Sequence, residues 1–127
     1  MQLRCSPLDL PLARPFRIAR GVRTVADNVL VEIEDQGLVG RGEAAPNPRY
    51  DQSQISALEA LGSFTVEGFG PFDQEAILAS FEREFPREQA ARCALESALW
   101  DWAGQRLARP LHELLAIDPS RLPHSSW

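Results

Sequence analysis

The sequence contains no lysine, since all 13 of its basic residues are arginine. The chain therefore offers no lysine as a base, as a Schiff-base nucleophile or as part of a phosphate-binding loop. It has two cysteines, Cys5 and Cys93, which are too few for a disulfide framework, and we expect two reduced thiols in a cytoplasmic protein. The two histidines, His112 and His124, match no metal-ligand spacing. Taken alone, the chain does not resemble a complete enzyme.

Long apolar runs and an excess of positive charge are also missing. No apolar stretch is long enough to cross a membrane, and the N-terminus lacks the apolar core of a secretory signal. The net charge of −5 argues against a nucleic-acid partner. What remains is 127 residues with 44% apolar content, which is enough for one domain with a core. We expect neither a membrane nor a nucleic-acid partner.

Residues 87–115 carry the longest helical pattern. Apolar residues recur there at three- and four-residue steps, which places them on one buried stripe. The members of this stripe are Leu95, Ala98, Leu99, Trp102 and Ala103. A flank of small residues, where another helix can approach, consists of Cys93, Ala94 and Ser97. Pro110 disfavours helix at Arg109, so we expect a break there and a short second helix.

Three segments at the start of the chain predict an antiparallel meander. Residues 1–12 read as a strand because their apolar residues partly alternate, and Pro7 and Pro11 indicate that this strand lies at the edge of the sheet. Asn28–Glu34 alternates between apolar and polar residues, with Leu30 as the exception, and so predicts a half-buried strand. Leu38–Ala45 returns as a third strand after an Asp-Gln-Gly turn. The two glycines of this third strand indicate a bulge or a close approach of another backbone.

Shorter helices are predicted between the meander and the long helix. Asp51 and Gln54 have the spacing of a capping box, and the helix they begin is expected to stop at Gly62. Asp73 is expected to cap a second helix, with Phe72 before it as part of a hydrophobic staple.

The predicted organisation is a single α+β domain over residues 1–117. A three-stranded meander over residues 1–46 is followed by a helical bundle over residues 51–116. Residues 118–127 contain two prolines and complete no element. We expect them to be a linker that leads into a further domain.

The segment between the first two strands, Ala13–Asp27, is expected to be a loop. It carries a dense set of arginines for an acidic protein, namely Arg14, Arg17, Arg20 and Arg23. A guanidinium group can bind a carboxylate through two parallel hydrogen bonds. The segment is therefore either a solvated surface loop or a mobile lid that binds a carboxylate ligand, and the residues alone leave both possibilities open.

A second candidate segment is Pro46–Tyr50, whose two prolines stiffen the backbone. It is either a simple connector or a rigid presentation of Asn47, Arg49 and Tyr50. Glu43, just before it, is a possible acid–base group. Because it has no identifiable partner carboxylate, we expect a structural role for it.

Three stretches together resemble the N-terminal capping domain of the enolase superfamily, with the muconate-lactonizing subgroup as the closer match. They are PFRIARGVR (residues 15–23), VEIEDQGLVGRGEAAPNPRY (31–50) and ALESALWDWAGQRLARPL (94–111). The pieces PFRIARGVR and PNPRYD most resemble dipeptide epimerases of the alanine–glutamate type. The resemblance covers this whole chain but only about the first third of such an enzyme.

The resemblance implies a division of labour with a following (β/α) barrel that is absent from this chain. In that superfamily the barrel carries the catalytic lysines and the acidic ligands of a Mg²⁺ ion. The ion stabilises an enediolate that forms when a base removes a proton next to a carboxylate. The capping domain closes over the barrel, excludes water and helps to select the substrate. We therefore expect no catalytic residue, metal ligand or cofactor in this chain, and no activity from it alone.

The resemblance also assigns substrate-binding residues, because residues 20–23 and 46–50 match the family segments that reach the active site. Arg23, and then Arg20, are the expected contacts to a substrate carboxylate. Tyr50 is expected to form a wall of the site and Phe16 to shape the lid. Asp51 stands where many relatives have glycine. An apolar surface that would meet the barrel is expected to cause self-association of the chain.

Two other functions remain open. The parent enzyme could belong to the same superfamily and be a cycloisomerase or an o-succinylbenzoate synthase. In a different class, the chain would be a stand-alone module that uses its arginines to bind small carboxylates or a protein partner.

Overall fold

The computed structural model describes residues 1–18 and 21–123, and it shows a three-stranded antiparallel sheet with helices packed on one face. The elements are β1 (Gln2–Ile18), β2 (Gly21–Asp35), β3 (Leu38–Ala44), α1 (Gln54–Ser63), α2 (Gln74–Glu84), α3 (Gln89–Leu107) and α4 (Leu111–Leu114). Short 3-10 helices cover Pro48–Tyr50 and Pro119–Arg121. The predicted α+β fold, a meander followed by helices, is confirmed. Of the predicted linker, residues 124–127 lie outside the described residues.

The first two strands are much longer than predicted. The segment Ala13–Asp27 is strand wherever the structure describes it, so the loop prediction is wrong. The register runs from Gln2 opposite Glu34, shifts at a bulge after Pro11, and resumes with Phe16 opposite Arg23. The prolines of β1 are compatible with this pairing because β1 is an edge strand, where one side of the backbone needs no partner.

The far ends of β1 and β2 form a two-stranded projection, residues 12–18 and 21–27, which we call the arm. Residues 13–17 and 21–24 are all exposed, so no helix covers them. The helices instead cover the other half of the sheet, where Val29, Val31 and Ile33 are completely buried, as the alternation predicted. The arm therefore contributes little to the core.

Strand β3 and helix α3 lie unusually close together. A side-chain carbon at Gly42 would lie 1.9 Å from the carbonyl oxygen of Ala94, and one at Gly40 would lie 2.1 Å from that of Ala98. The glycines therefore mark a close backbone approach, one of the two predicted possibilities. Of the predicted flank of small residues, Ala94 meets this strand and not, as expected, a helix, whereas Cys93 and Ser97 are exposed on another side of α3.

The outer edge of β3 is also covered by α3. The backbone N–H of Arg41 donates to Asp101 Oδ2 at 2.8 Å, and Gln105 Nε2 donates to the carbonyl oxygen of Val39 at 2.8 Å. Two backbone groups on an edge strand are thereby satisfied by helix side chains, which reduces the tendency of the edge to pair with another chain.

Helix α3 supplies the centre of the core. All five residues of the predicted stripe are at most 1% exposed, and the indole N–H of Trp102 donates to the carbonyl oxygen of Asp35 at 3.1 Å.

Both cysteines are free. The thiol of Cys5 packs against the core, and partial burial raises its pKa. In the described part of the chain, no helix combines the length and the apolar character needed to cross a bilayer.

The helix starts differ from the predictions in detail. Ser53, not Asp51, caps α1, and it forms a capping box with Ser56. Asp51 instead ends the preceding 3-10 helix with a φ of 56°, a left-handed conformation that aspartate tolerates better than most residues. Gly62 lies within α1, which ends one residue later. Asp73 stands at the N-cap of α2, but its carboxylate accepts a hydrogen bond from the Gly70 N–H and none from the helix.

Candidate functional site

The arm places its functional side chains by strand register. Phe16 and Arg23 are directly opposite each other, so their side chains lie on the same face of the arm. Arg23 also has the same parity along β2 as the buried residue Val29, and alternate residues of a strand share a face. Arg23 therefore continues the helix-facing side of the sheet beyond the point where the helices stop covering it.

A cleft of about 260 Å³ lies between the arm, the Pro46–Tyr50 segment and the start of α1. Its lining residues are Arg23, Asp27, Pro46, Pro48, Gln52, Ser53, Gln54 and Ile55. The sequence singled out two segments, the arginine-rich Ala13–Asp27 and Pro46–Tyr50, which we call the diproline segment. Both contribute residues to this one cleft. We call it the arm cleft.

Local hydrogen bonds hold the walls of the arm cleft. Asn47 Oδ1 accepts from the Arg49 N–H at 3.0 Å, which fixes the 3-10 helix that begins at Pro48. Gln52 is buried and donates from Nε2 to the Arg87 carbonyl oxygen at 2.7 Å. These bonds and the two prolines give the diproline segment a defined shape before any ligand binds.

The start of α1 is bonded to β1 and β2 beside the base of the arm. Gln54 Nε2 donates to Asp9 Oδ1 at 2.7 Å and to the Asn28 carbonyl oxygen at 2.7 Å. One side-chain amide therefore links the helix to β1 and to β2. This link sets the position of the arm relative to the helix, and so the width of the cleft.

The predicted site residues divide into three groups. Arg23 lines the arm cleft, and Phe16 lies opposite it on the same face with 59% of its surface exposed. Tyr50 lines a second cleft of about 680 Å³ on the other side of the diproline segment, together with Arg87. Arg20 lies outside the described residues.

Sequence reasoning missed Asp27, Gln54 and Ile55 as cleft residues. The signal for Asp27 was available, because it shares its parity along the strand with the predicted inward residues of β2. Gln54 and Ile55 could not be placed, since their position depends on how α1 packs against the arm. Ile55 is notable because 68% of this large apolar side chain is exposed at the cleft.

The remaining carboxylates of the described residues do not assemble a metal site. Glu43 Oε1 accepts from Asn28 Nδ2 at 2.5 Å, which links β3 to β2 and supports the expected structural role. Within residues 1–18 and 21–123, no three histidine, cysteine, aspartate or glutamate side chains are arranged to hold a metal ion. These described residues therefore do not fit a Mg²⁺ site.

A third concave surface lies on the opposite side of α3. It is a groove of about 730 Å³ between α3 and α4, lined by Trp100, Leu111 and Leu115 among others. Around the same end of the chain Leu107, Ile117 and Leu122 are each more than 40% exposed. We call this surface the α3–α4 groove.

Comparison with known proteins identifies the family. Residues 3–116 match the model of the mandelate racemase/muconate lactonizing enzyme N-terminal domain. The chain is 36% identical over 115 residues to the L-Ala-D/L-Glu epimerase of Escherichia coli K12, an alignment that covers 84% of this chain and 32% of that enzyme.

Solved structures agree with this assignment. A dipeptide epimerase from Methylococcus capsulatus, complexed with Mg and the dipeptide L-Arg-D-Lys, gives a TM-score of 0.81 at 30% identity, over 90% of this chain and 34% of that chain. A muconate lactonizing enzyme from Mucobacterium smegmatis, complexed with muconolactone, gives 0.80 at 27% identity, over 89% of this chain and 32% of that one.

The chain spans about a third of the length of the curated relatives it matches. The matched third is the capping domain of the enolase superfamily, and the barrel is not among these 127 residues. The chain belongs to the mandelate racemase/muconate lactonizing enzyme N-terminal domain family.

Proposed function

We propose that this chain is the substrate-capping and specificity domain of a Mg²⁺-dependent dipeptide epimerase in the cytoplasm. The observation that carries the proposal is that Arg23 and the diproline segment line one cleft. Arg23 makes no ion pair with any carboxylate in the described part of the chain. Its guanidinium group is thus available for the carboxylate of a dipeptide.

The proposal assigns the chemistry to the rest of the enzyme. Proton removal next to a carboxylate needs a base and a group that stabilises the enediolate. This chain has no lysine, and its described residues do not fit a metal site. Its own work is to bind the far end of the substrate, to exclude water and to choose between dipeptides. The 127-residue chain alone should not exchange a substrate α-proton with D₂O.

The first test is the coding sequence downstream of residue 127. The proposal expects it to continue for the length of a barrel, with a Lys-x-Lys pair and three acidic residues on successive strands. A stop codon at that point, with no barrel encoded nearby, would refute the proposal.

The second test addresses Arg23 in the full-length enzyme. Arg23→Ala should raise KM for an acidic dipeptide about tenfold, equivalent to about 1.4 kcal/mol, because a charge-assisted contact to the substrate is lost. Arg83→Ala is the matched control, since Arg83 is an exposed arginine of α2 that does not line the arm cleft and whose guanidinium group donates to Ser80 Oγ at 3.0 Å. An unchanged KM for Arg23→Ala would remove this residue from the site.

A cycloisomerase is the second candidate, because a muconate lactonizing enzyme shares this domain's fold closely. Assays of the full-length enzyme with dipeptides, muconate and o-succinylbenzoate precursors would separate the two reactions. A stand-alone carboxylate-binding module predicts something different, namely saturable heat when the isolated chain is titrated with dipeptides or dicarboxylates.

We also propose that the α3–α4 groove is covered by the remainder of the enzyme, and that the isolated chain self-associates through it. The support is that two exposed apolar side chains, Leu111 and Leu115, line the groove together with Trp100. Exposed apolar surface of this kind favours association.

A further inference from the structure

Gln52, which follows the diproline segment, is the one buried polar residue in the part of the chain that the structure describes. It is 6% exposed, and its Nε2 donates to the Arg87 carbonyl oxygen at 2.7 Å. Arg87 lies in the turn between α2 and α3. A buried amide is stable only where bonds within the protein replace its bonds to water. The hydrogen bond therefore makes a fixed contact between the end of the diproline segment and the helices.

The internal shape of the diproline segment is set locally. The N–H groups of Tyr50 and Gln52 donate to the Asn47 carbonyl oxygen at 2.9 and 3.4 Å. Residues 47–51 are all exposed, so no core packing holds them in place. These local bonds shape the segment, but they do not fix its position relative to α3.

Gln52 supplies that position. In the described part of the chain, no other hydrogen bond joins residues 46–52 to the helices. The turn that receives the bond is itself held, because Gln89 Nε2 donates to the Pro86 carbonyl oxygen at 3.0 Å. The start of α3 is thus a firm support for a segment that is otherwise bonded only to itself.

The diproline segment separates two clefts. Pro48 lines the arm cleft, Tyr50 lines the second cleft of about 680 Å³, and Gln52 lines both. The space of the second cleft lets the segment move away from the arm when the bond from Gln52 is lost. The arm cleft would then widen, and errors of about 1 Å in the position of a binding wall weaken recognition of a ligand.

We infer that Gln52 is a positioning residue for substrate binding. Through its bond to the Arg87 carbonyl oxygen it holds the diproline segment at the distance from the arm that fits a dipeptide. The inference rests on the proposed function as a dipeptide epimerase domain. Gln52 acts through the segment, and it contacts the helices from behind the wall that faces the ligand.

The first test measures the mobility of the segment in the 127-residue chain. Tyr50 is the only tyrosine of the sequence, so ¹⁵N-tyrosine labelling gives one backbone amide signal, which reports on the segment alone. Gln52→Met keeps the length of the side chain and removes the donor. It should lower the order parameter of this signal from about 0.85 to below about 0.6. Gln52→Asn keeps an amide that is one carbon too short for the bond, and should do the same.

Gln105→Met is the matched control for this measurement. It makes the same chemical change and removes another bond from a glutamine Nε2 to a backbone carbonyl oxygen, that of Val39, at 2.8 Å. Because this bond lies on the edge of β3 far from the segment, the order parameter of Tyr50 should stay at its wild-type value.

The second test measures KM and kcat of the full-length enzyme with L-Ala-L-Glu. Gln52→Met should raise KM about fivefold and leave kcat unchanged, as expected when one hydrogen bond that positions a binding wall is lost. A merely structural role would give a different result. Partial unfolding lowers the concentration of active enzyme, and so the apparent kcat, but it leaves KM unchanged.

The two measurements separate the possible failures. An unchanged order parameter of Tyr50 in Gln52→Met shows that something else holds the segment, and it overturns the inference. A mobile Tyr50 with an unchanged KM in an active enzyme overturns the role in substrate binding. If the wild-type enzyme turns over no dipeptide, the proposed function fails, and the order parameter still decides whether Gln52 holds the segment.

Discussion

Gly42 offers the sharpest test of the packing between the sheet and the helices. A Cβ at Gly42 would lie 1.9 Å from the Ala94 carbonyl oxygen and 2.9 Å from the Ala98 backbone nitrogen. A carbon normally comes no closer than about 3.3 Å to a carbonyl oxygen. Both obstacles are backbone atoms of α3, so no side chain can turn aside, and α3 itself has to move by more than about 1 Å.

The expected cost of Gly42→Ala is large for a single methyl group. Overpacking a core costs about 1–3 kcal/mol, and an obstacle made of helix backbone places this substitution at the upper end. The buried stripe of α3, which includes Leu95 and Trp102, moves with the helix, so these side chains lose packing contacts in the core. We expect a loss of about 3 kcal/mol in the free energy of unfolding, which lowers Tm by about 10 °C in a domain of this size.

The assay is urea unfolding of the 127-residue chain, monitored by circular dichroism. Gly62→Ala makes the same chemical change in α1, where a Cβ would meet nothing within 4 Å and φ is not positive. It should stabilise the chain by about 0.5 kcal/mol or more, because alanine favours helix over glycine. Gly40→Ala should behave like Gly42→Ala. Equal unfolding midpoints for Gly42→Ala and the wild type would refute the close approach of β3 to α3.

Two further predictions concern the surface of α3. Asp101→Ala should lower the free energy of unfolding in urea by about 1 kcal/mol, because the Arg41 N–H on the edge of β3 loses its acceptor. It should also increase light scattering on heating, since the exposed edge can then pair with another chain. Asp101→Asn keeps an acceptor oxygen and should lose less. Trp100→Glu should convert a self-associating chain into a monomer in sedimentation velocity, because it charges the α3–α4 groove, while Tyr50→Glu, an equally bulky change elsewhere, should not. A monomeric wild-type chain at high concentration would contradict the self-association proposal.

The core was predictable from sequence because its signals are local. Alternation placed Val29, Val31 and Ile33 inward, and three- and four-residue spacing placed Trp102 on the buried stripe of α3. The N-cap of α1 was not predictable from sequence, because two overlapping capping patterns compete within four residues. Asp51 fits a capping box, but the preceding 3-10 helix draws it into a left-handed conformation, and Ser53 takes the role.

The arm shows where local signals mislead. A proline and a glycine within Ala13–Asp27 are typical of a loop, yet the segment is strand wherever it is described. The proline lies in the edge strand β1, and a bulge after Pro11 accommodates the irregular spacing before Phe16. The residues alone left the roles of Arg23 and the diproline segment open, and resemblance to a family assigned both to the active site. Their meeting in one cleft depends on tertiary packing, which no local pattern encodes.

The lengths of the elements explain why the candidate site lies on the arm. Strand β2 has 15 residues and extends for about 50 Å, whereas α3, with 19 residues, is about 28 Å long. The helix layer can therefore cover only part of the long hairpin. The covered part, around Val31, contributes to the buried core and so to stability. The uncovered part includes Arg23 and Asp27, whose side chains are exposed and can be replaced without disturbing that core. Substitutions in the arm should for this reason change substrate preference at little cost in the free energy of unfolding.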